Sequence, residues 1–176
     1  MANTYTLISS VTVGSGGAAN IEFTSIPATY TDLCLLVTAR CEASGDTVFR
    51  IRFNSDSGTN YKWIRLFGDG SSASSQNQGT YGAGYNTSLF AQQNVSTNTA
   101  STFSNSQIYI PNYTTSNYKS ASIDSVTENN ATAAQAALWA GLWESTSAIN
   151  AITLSSEGAN DLAEFSTAYL YGISNA

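Results

Sequence analysis

A chain of 176 residues is long enough for one domain with its own core, and a hydrophobic share of 42% is globular rather than disordered. A formal net charge of -6 and a pI near 4.3 argue against nucleic acid binding, which needs a basic footprint to displace counterions. The absence of histidine removes the Ser-His-Asp triad, the Cys-His dyad and nearly every zinc site.

Alternation of period two recurs along the whole chain, and helical periodicity does not. The first expected strand covers residues 5–13, followed by a turn at Gly14-Ser-Gly-Gly17 and a short strand over 20–23. Residues 32–41 are apolar on both faces at Leu33 to Val37, the pattern of a central strand buried on both sides. Residues 47–53 alternate cleanly, with Phe49, Ile51 and Phe53 on one face and Val48, Arg50 and Arg52 on the other. A polar turn at Asn54-Ser-Asp-Ser-Gly-Thr-Asn60 and a returning strand over 61–67 complete a hairpin.

Residues 68–84 are polar and read as a long loop, and the polar region extends to about residue 100 with a short apolar stretch at 85–90. Strands resume over 102–110 and 118–126, with a turn at Glu128-Asn-Asn130. The alanine-rich segment 133–143 reads as a strand because Trp139, Gly141 and Trp143 alternate against Leu138, Ala140 and Leu142. Strands over 151–155 and 164–173 close the chain, the last with Phe165, Thr167, Tyr169, Tyr171 and Ile173 on one face. Nine or ten short strands at even spacing, with no composition shift, predict one all-β domain over residues 1–176: an antiparallel β-sandwich of jelly-roll type, with a polar loop region around 68–100.

Cys34 and Cys41 have opposite parity and would lie roughly 23 Å apart on a continuous strand, too far for a disulfide. The carboxylates Asp124 and Glu128 share parity but would sit roughly 13 Å apart, beyond the separation of a glycosidase pair. Asp161 and Glu164 read as solvated acids at a strand end. The segment from Asn54 to Gly58 resembles the start of a calcium loop, yet Arg65 stands where the distant bidentate Glu would be, and a hairpin turn accounts for the same residues. The triplets beginning at Asn86, Asn94, Asn112 and Asn130 match the glycosylation pattern, as expected by chance in a chain rich in Ser and Thr. The first ten residues have neither a basic start nor an apolar run, so no secretory signal is expected, and no stretch is long and apolar enough for a membrane helix. Trp63, Trp139 and Trp143 are expected in the core. The expectation is a non-enzyme with no cofactor and no metal.

Charged residues make up only 10%, against roughly a quarter in ordinary domains. A polar but uncharged surface suits a chain packed against neighbours. Arg50, Arg52 and Arg65 form the candidate docking patch for a partner's carboxylates. Tyr81, Tyr85 and the amides of the polar segment form a second candidate surface.

Several stretches together resemble small virion proteins of tailed phages, cyanophages especially. They are Tyr5-Thr-Leu-Ile-Ser-Ser-Val-Thr-Val-Gly-Ser-Gly-Gly, Ile21-Glu-Phe-Thr-Ser-Ile-Pro-Ala-Thr-Tyr-Thr-Asp-Leu33, Ile110-Pro-Asn-Tyr113, Ser125-Val-Thr-Glu-Asn-Asn-Ala131, Ala140-Gly-Leu-Trp143 and Tyr169-Leu-Tyr-Gly-Ile173. The resemblance implies a particle surface. It points to a capsid decoration (cement) protein on the outside of the virion, trimeric and bound to the major capsid protein. The alternative it leaves open is a tail-fibre or spike module that binds a host receptor or glycan. The absence of an attachment stem favours decoration.

Overall fold

The computed structural model describes residues 4–45, 48–81, 84–128, 135–158 and 160–174. The expected alternation becomes twelve strands: β1 (Tyr5–Thr12), β2 (Asn20–Phe23), β3 (Asp32–Ala39), β4 (Val48–Phe53), β5 (Tyr61–Gly68), β6 (Ala73–Asn77), β7 (Leu89–Gln92), β8 (Ser104–Ile110), β9 (Lys119–Thr127), β10 (Gln135–Trp143), β11 (Ile152–Ser156) and β12 (Thr167–Ile173). One four-residue helical turn, α1 (Gln78–Tyr81), lies between β6 and β7.

The strands form an eight-stranded sheet, β1-β12-β3-β8-β9-β10-β5-β6, and a four-stranded sheet, β2-β11-β4-β7, antiparallel throughout. Eight of these strands follow jelly-roll order: β1-β12-β3-β8 in one sheet and β2-β11-β4-β7 in the other, with the chain crossing between sheets at nearly every step. The remaining four are insertions. β5 and β6 enter between β4 and β7, and β9 and β10 between β8 and β11; all four add to the β8 edge of the larger sheet.

The inner faces carry the core. Leu33, Leu35 and Val37 of β3, with Ile108 and Ile110 of β8, share one cluster with Phe49, Ile51 and Phe53 of β4 and Ile152 and Leu154 of β11. Beneath the inserted strands the packing is aromatic. The Trp63 and Trp139 rings meet edge to face with centroids 5.1 Å apart, and Phe90 of β7 lies 5.8 Å from Trp63. Trp143 stacks on Tyr61 at 6.4 Å, so all three tryptophans are core residues, as expected. Gly141 sits where a Cβ would fall 2.7 Å from Leu89, so glycine lets β7 approach β10 closely.

The strand count exceeds the expected nine or ten because the polar region is not one loop. Residues 73–77 pair with β5 as an edge strand whose side chains are mostly exposed, so backbone bonds hold it and no apolar period announces it. The apolar signal at 85–90 belongs to β7, which starts only at Leu89 and is buried along its whole length. The segment after it is anchored by Arg40. Its Nη1 donates to Thr99 O and Thr102 O at 3.0 Å each, and its Nη2 to Ser96 O at 3.2 Å and Asn98 O at 3.1 Å. β3 stops at Ala39 rather than residue 41. The final strand begins at Thr167 because Phe165 has φ 69, which breaks the extended backbone and takes its ring out of the expected row. The expected strand residues 47, 133 and 134, and the turn residues 129 and 130, lie outside the described residues.

Candidate functional surface

The expected basic patch is not one patch. Arg50 and Arg52 share a face of β4 in the smaller sheet, both half-buried, and Arg52 Nε donates to Thr87 O at 3.1 Å. Arg65 lies in the other sheet and points inward, 6% exposed. Its guanidinium rests 4.7 Å from the Phe67 ring centroid and 4.9 Å from that of Trp139, and it hydrogen-bonds Gln76 Oε1. The sequence placed Arg65 at the surface because charge normally goes there. Cation–π contact is what pays for its burial.

The residues that resemble the start of a calcium loop are engaged in the turn. Asn54 Oδ1 accepts from the Asn150 and Ala151 amides at 2.9 and 3.1 Å. Asp56 Oδ1 accepts from the Gly58 amide at 2.8 Å, and its Oδ2 from Trp143 Nε1 at 2.7 Å and Asn60 Nδ2 at 2.9 Å. These bonds hold the Asp56 carboxyl below its ordinary pKa against the opposing effect of burial. Among the described residues no three His, Cys, Asp or Glu side chains converge on one point. Cys34 and Cys41 are both free and buried, and burial pushes the Cys34 thiol pKa up. Asn94 is fully buried and donates to Thr102 Oγ1 at 2.8 Å, so the asparagine of its glycosylation triplet is enclosed.

The surface that sequence reasoning missed is the outer face of the eight-stranded sheet. Cross-strand register lines up Tyr169, Leu36, Gln107, Asp124, Leu138, Leu66 and Ser75, one from each of seven consecutive strands. An adjacent row runs through Tyr171, Cys34, Tyr109, Ser122, Ala140 and Ile64. Ile64, Leu66 and Leu138 are 56%, 58% and 56% exposed, and Leu36 is 39% exposed. Leu33 to Val37 read as a strand buried on both sides, and on its outer side Cys34 is buried while Leu36 is 39% exposed. The apolar outward residues were the signal, and period-two analysis does not say which face the other described residues leave uncovered.

The face divides into two halves. Over the inserted strands it is aliphatic: a recess of about 590 Å³ is lined by Leu66, Ala73, Ala136 and Leu138, with Asp124 at its margin. Over the jelly-roll strands it is aromatic and polar. A recess of about 490 Å³ is lined by Tyr169, Tyr171, Asn105, Gln107 and Asp124 around Leu36 and Val126. Asp124 joins the two halves. Tyr109 donates from its hydroxyl to Asp32 Oδ2 at 2.7 Å, and that bond, with burial, pushes its pKa up to about 12.

No family model, no curated protein and no solved structure matches this chain.

Proposed function

We propose that the chain is a structural protein of a phage virion, a decoration protein seated as a trimer on the outside of the capsid, and that it docks on the major capsid protein through the aliphatic half of its larger sheet. The observation that carries this is the cluster of Ile64, Leu66 and Leu138, apolar side chains more than half exposed on adjacent strands. Contiguous apolar surface of this kind marks an interaction site. The low charge of the whole chain and the sequence resemblance to small virion proteins support the same reading. A closed trimer fits a shell with local three-fold positions, where each weak contact is multiplied by avidity.

Docking moves from the expected arginine patch to an apolar face, so its salt dependence changes. Purified protein is mixed with shells stripped of it, and the pellet is measured across a salt series. Co-sedimentation is expected to persist at about 1 M salt, where the screening length is near 3 Å. It is expected to be lost in Leu66→Glu and Leu138→Glu but kept in Arg50→Glu. Failure of the unaltered protein to pellet with shells, or labelling confined to the tail, overturns the decoration reading.

A further inference from the structure

We propose that the recess over β12, β3, β8 and β9 is a binding site for a neutral oligosaccharide, a function separate from docking on a shell. The recess measures about 490 Å³, and Gln107 and Asp124 also line a smaller one of about 340 Å³ beside Tyr109. Tyr169 and Tyr171 stand on the same face of β12, about 7 Å apart from the strand rise. Tyr169 is 40% exposed and Tyr171 half-buried, so part of each ring is open to solvent. Across the recess, Gln107 of β8 is in register with Asp124 of β9, and Asn105 lies two residues from Gln107. Among the described residues no hydrogen bond or ion pair engages the side chains of Asn105, Gln107 or Asp124.

The donor and acceptor set selects the ligand. Asn and Gln each offer a carbonyl and an NH₂ group, and an ionised Asp only accepts. A ligand meeting all three needs closely spaced hydroxyls, which both donate and accept. The tyrosine rings and Leu36 need an apolar face lying against them. A sugar ring has both features, a C–H face and a hydroxyl rim. A peptide strand fits less well, because its backbone groups need partners and those of a central sheet are already paired. The one charge in the recess is Asp124, and no basic residue lines it, so acidic sugars are disfavoured and neutral ones admitted. The span from β12 to β9 is three strand spacings, about 14 Å, which suits several linked rings rather than one.

The test is calorimetric titration of the intact protein with xylohexaose, cellohexaose, mannohexaose and galactohexaose. At least one is expected to bind with a Kd at or below about 1 mM. Tyr169→Ala and Gln107→Ala are each expected to weaken that binding about tenfold, Tyr169→Phe to retain most of it, and Leu66→Glu to leave it unchanged. Circular dichroism of each variant verifies the fold. Saturation-transfer contacts are expected between the sugar and the rings of Tyr169 and Tyr171. Absence of binding across the panel, or binding that Tyr169→Ala and Gln107→Ala both leave intact in a folded protein, overturns the assignment.

Discussion

Gly172→Ala tests the packing logic of the larger sheet at one atom. Gly172 lies in β12 between Thr6 of β1 and Leu33 of β3, and the half-buried Tyr30 ring covers it. An added Cβ would fall 2.3 Å from both Cγ and Cδ2 of Tyr30 and 2.6 Å from Cδ1. Ordinary contact begins near 3.4 Å, so the ring must withdraw by about 1 Å, losing much of its dispersion contact with the strand. The φ of Gly172 is not in the left-handed region, so alanine meets no backbone strain and gains about 0.5–1 kcal/mol from lower unfolded-state entropy. Overpacking costs about 1–3 kcal/mol, so a net loss near 1 kcal/mol is expected. For a chain of this size that lowers Tm by about 2–4 °C. Gly14→Ala is the control, since nothing lies within 4 Å of its would-be Cβ. In urea titration, Tyr30→Ala is expected to relieve the clash, so the double variant falls short of additivity by at least about 1 kcal/mol. A Gly172→Ala protein as stable as the parent, or strict additivity with Tyr30→Ala, refutes the reasoning.

Two further outcomes follow from the same packing. Tyr109 has its pKa raised by the hydrogen bond to Asp32, so the stability it contributes is complete below pH 10, near the unfolded tyrosine value, and is lost as pH rises through about 12. Tyr109→Phe is expected to flatten the alkaline limb of a stability-versus-pH curve, and an unchanged slope contradicts the assignment. Arg40→Lys keeps the charge but cannot span four carbonyls with a point-like ammonium, so a loss of about 1.5–3 kcal/mol and faster amide exchange over residues 96–102 are expected. Native-like protection of that segment in the variant speaks against the anchor.

How much of this was legible in the sequence depends on what each strand's side chains contact. β4, with Phe49, Ile51 and Phe53 against Arg50 and Arg52, has one wet and one dry face, and its alternation is plain in the sequence. β10 was legible despite its alanines, because Trp139 and Trp143 recur on one side. β6 was not, because Ala-Ser-Ser-Gln-Asn buries almost nothing and is held by ladder bonds to β5. Arg65 was misplaced because its partners, Phe67 and Trp139, lie two residues away and on another strand, and only folding brings the second ring to it. The exposed apolar residues failed differently. Leu36, Ile64, Leu66 and Leu138 were visible as apolar positions, but a sequence does not say which face of a sheet the fold leaves open.

The inserted strands explain why that face exists. A jelly roll closes its core with four strands against four, and here the opposing sheet has only four. The insertions widen the larger sheet to eight, and their inner side is sealed by β7 and by the cluster of Trp63, Phe90 and Trp139. Their outer side gains no such cover. A sheet meant to face water places charged and polar residues at outward positions. At the outward positions of β5 and β10 this chain places Ile64, Leu66, Leu138 and Ala140, with Lys62 paired to Glu144 at 3.7 Å near one end. Apolar side chains exposed on adjacent strands gain nothing for the isolated fold, since the core is complete without them. Their free energy is recovered only when a second surface removes them from water, at about 25 cal/mol per Å² buried. The insertions therefore add an exposed apolar face as well as the aromatic core beneath it, which is the physical basis for proposing docking on β5 and β10 and ligand recognition over β12, β3, β8 and β9.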